Sequence, residues 1–473
     1  MLEVSAFFSD SFFVQMTASP NYNSYREIDF QHLWHPFTQQ KVWFEENQPL
    51  IVERAEGVEL IDVDGNRYLD GVSSLWCNVH GHAVPELLSA IQNQANKVCH
   101  STLLGLSHTA VLDLTSELFK ILPKHFSKVF YSDSGSAAVE AALRMALEWW
   151  QKNDSHAAKK KTKLVSLAEA YHGDTLGSVG IGYSEPFHRA LKSHLSESYK
   201  ICPPHYLRMY QGQSAESAVT KSLAEVEQLF KSKADEIAAF FIEPIVQGAA
   251  GIWIQPAEYL GKIAELCKSY NVLLVADEVA TGFGKTGRMF AVEHAAIEPD
   301  IMVLGKSLTA GYLPLSCVVT TEKIFNGFLG EPEELKTFFF GQTFSGNPLA
   351  AAVACENLKL LQSNHVLANL SERIPYFNQL LDSTINPLVN VFEVRSQGVM
   401  VGIELTRTQG KFDPFSANEL AGLKVVREAR ARGVVIRSIG NVMILMPALV
   451  MENEDLKKLV EVTAESIDAA LAK

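Results

Sequence analysis

Between residues 84 and 344 the chain alternates short apolar runs, rich in β-branched residues, with longer stretches of helical periodicity. The candidate strands are "KVFYS", "KLVSLA", "AAFFIEP", "VLLVADE" and "DIMVLG". Between them, "SAAVEAALRMALEWW" and "PAEYLGKIAELCKSY" place apolar residues every three to four positions, enough to cover one face of a sheet. A helix between two strands allows them to run parallel, whereas antiparallel neighbours need only a tight turn. The expected fold class is therefore α/β, a large domain on a mostly parallel sheet.

After residue 345 the pattern changes to a helix, "PLAAAVACENLKLLQ", a hairpin, "VFEVRSQGVMVGIEL", and then "AGLKVVREARARGVVIRSIGNVMILMP", which reads as helix and strands. The expected organisation is a large domain over residues 83–345 and a smaller α+β domain over 346–473, joined by a segment over 26–82. Residues 1–25 are expected to form an extension outside the fold. The first 20 have apolar patches at Phe7, Phe8, Phe12, Phe13 and Val14 but contain Glu3 and Asp10 and no basic residue, unlike a secretory signal.

A formal net charge of −13 repels nucleic acid, and the basic cluster Lys159, Lys160, Lys161 and Lys163 has no interleaved aromatic residues or arginines, so it reads as a solvated loop edge. Six scattered cysteines show neither a disulfide framework nor metal-ligand spacing. No run approaches the ~20 apolar residues that span a bilayer. A cytoplasmic protein with small-molecule substrates and no metal is expected.

In parallel sheets, ligands bind beyond the carboxyl ends of the strands, so polar residues at those ends are the first candidates. Lys306 follows the last candidate strand in "VLGKSLTAGYLPL". It is not a P-loop lysine: that motif needs a glycine where this chain has Asp300, and the second Gly-Lys-Thr, at residues 284–286, has Val279 there. The glycines 282, 284 and 287 match a dinucleotide fingerprint in spacing, but Asp277 to Thr281 separate them from their strand. What remains is a triad of features. "FYSDSGSAAVE" opens a helix near Gly135, whose free N–H groups suit an anion. Asp277 ends an apolar strand. A desolvated lysine such as Lys306 is a nucleophile that forms Schiff bases with aldehydes. Pyridoxal phosphate requires all three: a helix N-terminus for its phosphate, a carboxylate for its ring nitrogen and a lysine for its aldehyde.

"YSDSGSAAVEAALRMA", "YHGDTLG", "FIEPIVQGAAG", "LLVADEVATGFGKTG", "LGKSLTAGYLPL" and "GQTFSGNPLA" together resemble the class III aminotransferases, fold-type I pyridoxal phosphate enzymes, over about residues 32 to 447. Within them, "LWHPFTQ", "SSLWCNVHGH" and "VIRSIGNVMILMP" are similar to the biotin-pathway members that aminate 8-amino-7-oxononanoate. The resemblance implies that Lys306 holds the cofactor aldehyde and shuttles protons, that Asp277 binds the pyridine nitrogen, that Gly135 and Ser136 bind phosphate, and that Tyr171 stacks on the ring beside His172. It implies a homodimer with shared sites, in which Thr343, flanked by Gln342 and Gly341, reaches the phosphate from the partner. Arg437 would grip the carboxylate of the keto substrate. Trp34, Trp76, Phe37 and Leu75 would line the channel, with Asp174 in a supporting role, while Glu243 reads equally as a structural acid. Phe37 and Leu75 stand where the members that use S-adenosylmethionine carry larger or hydroxylated aromatic side chains, and Lys285 replaces an arginine. These departures look closer to relatives that use lysine, so the expected donor is S-adenosylmethionine or lysine. The alternative reading is an ω-amino acid transaminase of the same class.

Overall fold

The computed structural model describes residues 20–46, 48–152 and 156–472. At its centre is a seven-stranded sheet: β1 (Phe126–Ser132), β2 (Lys163–Leu167), β3 (Tyr199–Ile201), β4 (Ile237–Ile242), β5 (Leu273–Asp277), β6 (Ile301–Leu304) and β7 (Ser316–Thr321). Their spatial order is β1-β7-β6-β5-β4-β2-β3. The five strands β6, β5, β4, β2 and β3 pair in parallel, and β7 runs antiparallel to both β6 and β1. The sheet is thus mostly parallel, as expected, with one reversed strand inserted. All six residues of β4 and all five of β5 are buried, as a strand covered on both faces requires.

The period of two sorts these strands onto two cores. Phe241, Val275, Ile301, Val303 and Val318 point to a cluster under the helix Gly135–Gln151, whose Ala138, Ala141, Ala142, Met145 and Ala146 form the facing stripe. Its alanines keep the helix close to the sheet. Phe240, Ile242, Leu274, Ala276, Met302 and Leu304 point the other way, into a cluster with the helices Thr109–Ile121, Ala215–Lys233, Ala257–Ser269 and Pro348–Ser363. Each large apolar side chain buried in this way contributes about 1.5–3 kcal/mol.

The strands Val52–Glu56, Glu59–Asp62 and Arg67–Asp70 form a second sheet, which Val434–Val435 joins beside Arg67–Asp70. A third sheet, antiparallel, is made by Val391–Gln397, Met400–Leu405, Val442–Leu445 and Arg437–Ile439. Residues 1–19 of the expected N-terminal extension lie outside the described residues, and from Pro20 the chain is helical to His32. Among the described residues, no helix is long and apolar enough to cross a membrane.

Candidate active site

Because β7 is the reversed strand, β1, β2, β4, β5 and β6 all end at one edge of the sheet, and the residues after them converge there. They enclose a cavity of about 180 Å³ lined by Gly135 and Ser136 after β1, Tyr171, His172 and Gly173 after β2, Glu243 after β4, Asp277 at the end of β5 and Lys306 after β6. Trp76 closes one side, and its ring centroid lies 4.8 Å from Lys306 Nζ. Lys306 itself has φ +42°, a left-handed conformation that costs a non-glycine residue about 1–3 kcal/mol and that concentrates at functional sites. Desolvation holds its amine below the ordinary lysine range, although Asp277 and Glu243 pull it back up. A lysine so placed has a larger neutral, nucleophilic fraction.

Asp277 is 5% exposed, and both its oxygens are engaged: His172 Nδ1 donates to Oδ2 at 2.7 Å and Val279 N to Oδ1 at 3.0 Å. Each carboxylate oxygen keeps a further acceptor site. Glu243 accepts from Tyr171 N at 3.1 Å and Gly248 N at 2.9 Å. Burial pushes its carboxyl up to about 7, and the nearby Asp277 adds to the rise. A protonated Glu243 spares the cavity a second negative charge beside Asp277. Tyr171 donates its hydroxyl to Asp174 at 2.5 Å, and burial raises the phenol above its ordinary range.

Pyridoxal phosphate fits these residues. Ser134 caps the helix Gly135–Gln151 by accepting from Ala137 N, which leaves the Gly135 and Ser136 N–H groups without protein acceptors among the described residues. They point a helix N-terminus at the cavity, as a phosphate needs. In the same cavity, Asp277 supplies a carboxylate that would hold a pyridinium nitrogen, and Lys306 lies at the end of the adjacent strand, since Asp277 pairs with Val303. The Trp76 Nε1 and His172 Nε2 atoms are buried without hydrogen-bond partners among the described residues.

Of the residues singled out in the sequence, the structure brings Lys306, Asp277, Tyr171, His172, Gly135, Ser136, Trp76 and Glu243 together. It does not bring Gly341, Gln342, Thr343, Phe37, Leu75 or Arg437 to this cavity. Gly341 and Thr343 are exposed, in a loop that packs on the segment around Cys99 and His100. Phe37 and Trp34 line a separate open groove with Phe187. Leu75 is 51% exposed on a contorted turn where Ser73, Ser74 and Trp76 all have positive φ. Arg437 is exposed and has no ion-pair partner among the described residues. Sequence reasoning missed Val279, Ala280, Thr281 and Gly173, which also line the cavity. Their neighbours in "ADEVATG" and "YHGDT" carried the chemical signal, but packing residues carry none of their own.

The description of the class-III aminotransferases matches residues 43–467 of the chain. The adenosylmethionine-8-amino-7-oxononanoate aminotransferase of Geobacter sulfurreducens is 41% identical over 95% of this chain and 98% of its own. The crystal structure of the enzyme of that name from Methanocaldococcus jannaschii superposes with a TM-score of 0.88 at 38% identity, over 95% of this chain and 99% of the other. The ω-transaminase of Pseudomonas jessenii also superposes with a TM-score of 0.88, at 30% identity over 94% of this chain and 98% of the other. With the geometry of Lys306 and Asp277 beside these likenesses, the chain belongs to the class-III aminotransferases, a family of fold-type I enzymes that depend on pyridoxal phosphate.

Proposed function

We propose that the protein transfers an amino group from lysine or S-adenosylmethionine to 8-amino-7-oxononanoate, forming 7,8-diaminononanoate for biotin biosynthesis. The observation that carries the reaction is the desolvated Lys306 in one cavity with Asp277 and the open helix N-terminus at Gly135. The substrate assignment draws on relatives of about 40% identity that bear this activity in their names. When bound, the cofactor supplies an electron-withdrawing ring that stabilises negative charge on the substrate carbon bearing nitrogen. Lys306 would hold the cofactor aldehyde at rest, and its Nζ, once released, would carry the proton between that carbon and the aldehyde carbon of the cofactor. Asp277, oriented by His172, keeps the ring nitrogen protonated, and Gly135 and Ser136 hold the phosphate. Tyr171 covers the ring, its hydroxyl held by Asp174. Arg437, without an acidic partner among the described residues, holds the acceptor's carboxylate.

In this proposal the active unit is a homodimer. Phe339, Phe344, Leu104 and Leu106 are 65%, 54%, 88% and 61% exposed, on two segments that touch through His100 and Phe344. Apolar exposure of this kind supports a partner surface that carries Thr343 into a second site. Six free cysteines accord with a reducing, cytoplasmic setting. The test is to supply the holoenzyme with 8-amino-7-oxononanoate and either donor and to measure the diamine by mass spectrometry. Formation with at least one donor is expected. No diamine with either, together with amination of pyruvate by an ω-amino acid, would transfer the protein to the ω-transaminase reading.

A further inference from the structure

The two faces of the C-terminal antiparallel sheet serve different neighbours. Val401, Ile403, Met443 and Leu445 point into a core shared with Val425 and Leu456 of the flanking helices. On the other face, Arg395, Gly402, Ile444 and Arg437 stand opposite one another in a single row across all four strands. Directly opposed residues project to the same side, so Arg395 and Arg437 share this face. At Arg395 and Gly402 the face meets the loop of residues 248–252, which leads from the β4 end of the cavity.

The contact is close and polar. A Cβ on Gly402 would come within 2.8 Å of Gly251 O, so only glycine admits that carbonyl at the middle of the row. Arg395 is 7% exposed. Its Nε donates to Ile252 O at 3.2 Å, Nη2 to Gly251 O at 2.9 Å and to Glu404 Oε2 at 3.0 Å, and Nη1 to Glu393 Oε2 at 2.7 Å. Glu404 is fully buried and also accepts from Arg208. At the other end of the loop, Gly248 N donates to Glu243 and Ala249 lines the cavity. One side chain therefore ties the backbone that shapes the cavity to the sheet that carries Arg437.

We infer that Arg395 is a positioning residue for the acceptor: with Glu404 it docks the carbonyls of Gly251 and Ile252 on the C-terminal sheet and so sets the span between the cavity and Arg437. This rests on the reading of Arg437 as the carboxylate-binding group. A substrate held at both ends is sensitive to that span, because a displacement of about 1 Å costs as much as a hundredfold in rate. A planar guanidinium serves two carbonyls and two carboxylates from one fixed fork, and an ammonium cannot.

Replacing Arg395 by alanine would leave Glu404 with a poorer set of partners in the core and risks the fold. The informative change is Arg395→Lys, with Glu404→Gln as a second route to the same loosened contact. In the holoenzyme, each half-reaction is measured separately, alongside amide hydrogen exchange over residues 246–254 and the thermal midpoint. The expected result is faster exchange in that segment, a KM for the keto acid raised at least about tenfold, and a donor half-reaction within about twofold of the parent. Equal losses in both half-reactions, or an unchanged acceptor KM despite faster exchange, would overturn the inference. Arg437→Ala separates the two claims. If it spares the acceptor half-reaction, the reading of Arg437 fails independently, and unchanged exchange in Arg395→Lys would then overturn the docking as well.

Discussion

At the scale of single residues, two lysines near the cavity have different surroundings. Lys306 faces the cavity, whereas Lys285 is fully buried and donates to Asn78 O at 3.0 Å and Ser73 Oγ at 3.3 Å, with desolvation lowering its amine to about 8. Lys285 therefore braces the contorted turn that carries Leu75 and Trp76 rather than lining the cavity. Lys306 and Asp277 were legible in the sequence because a charged residue at the end of an apolar strand needs a partner or a ligand. Val279 was not legible, since its position against Gly135 and Gly305 depends on distances between strands. Asp277→Asn keeps the shape of the site but removes the charge that faces His172 and that, in the proposed role, holds the ring nitrogen, and kcat should fall by about a hundredfold or more at saturating cofactor. Retention of near-parent kcat would take Asp277 out of that role. Arg437→Ala should weaken the keto acid half-reaction by about 1.5–3 kcal/mol, with little effect on the donor half-reaction.

At the scale of elements, two loops after strands decide whether the cavity holds its shape. Gly173 has φ +120°, and a Cβ there would lie 2.2 Å from Ser136 Oγ, so the loop after β2 touches the helix N-terminus after β1 directly. Gly173→Ala should therefore loosen cofactor binding at least about tenfold by titration, since the strain falls on the turn proposed to hold the phosphate. Gly261→Ala, in a helix with nothing within 4 Å of the new methyl group, should bind cofactor normally and gain about 0.5–1 kcal/mol of stability. The loop after β5 hangs on Glu278, which accepts from Thr281 Oγ1 at 2.6 Å and Val292 N at 2.8 Å, and whose carboxyl burial pushes up to about 7. A carboxyl with a raised folded pKa binds its proton more tightly in the folded state, so its contribution is present at low pH and lost as pH rises through about 7. Glu278→Gln should thus gain stability relative to the parent between about pH 5 and pH 8, by up to the order of 3 kcal/mol, and chemical denaturation at several pH values checks it. The five strands quoted from the sequence all form in the large sheet, but the three-residue β3 and the reversed β7 were missed, because short runs are weak strand signals and carry no information about direction.

At the scale of the whole molecule, family and chemistry were legible because the motifs lie at strand ends, whereas groups from distant parts of the chain meet only through tertiary structure. Arg437 projects from a small sheet whose placement depends on Arg395 and Gly402, and no local pattern in "VFEVRSQGVMVGIEL" reveals the carbonyls it meets. On the proposed homodimer, in which Thr343 serves a second site, light scattering of the holoenzyme should give the mass of two chains, and Thr343→Ala should weaken cofactor binding without changing that mass. The whole account depends on which amine holds the cofactor, and desolvation lowers the amines of both Lys306, beside Trp76, and Lys285, beside Ser73. Borohydride reduction of the holoenzyme, followed by proteolysis and mass spectrometry of the peptides, tests this directly. The cofactor should be found fixed to Lys306 alone and be lost from the chain in Lys306→Ala; a tag on Lys285, or on no lysine of the chain, would contradict it.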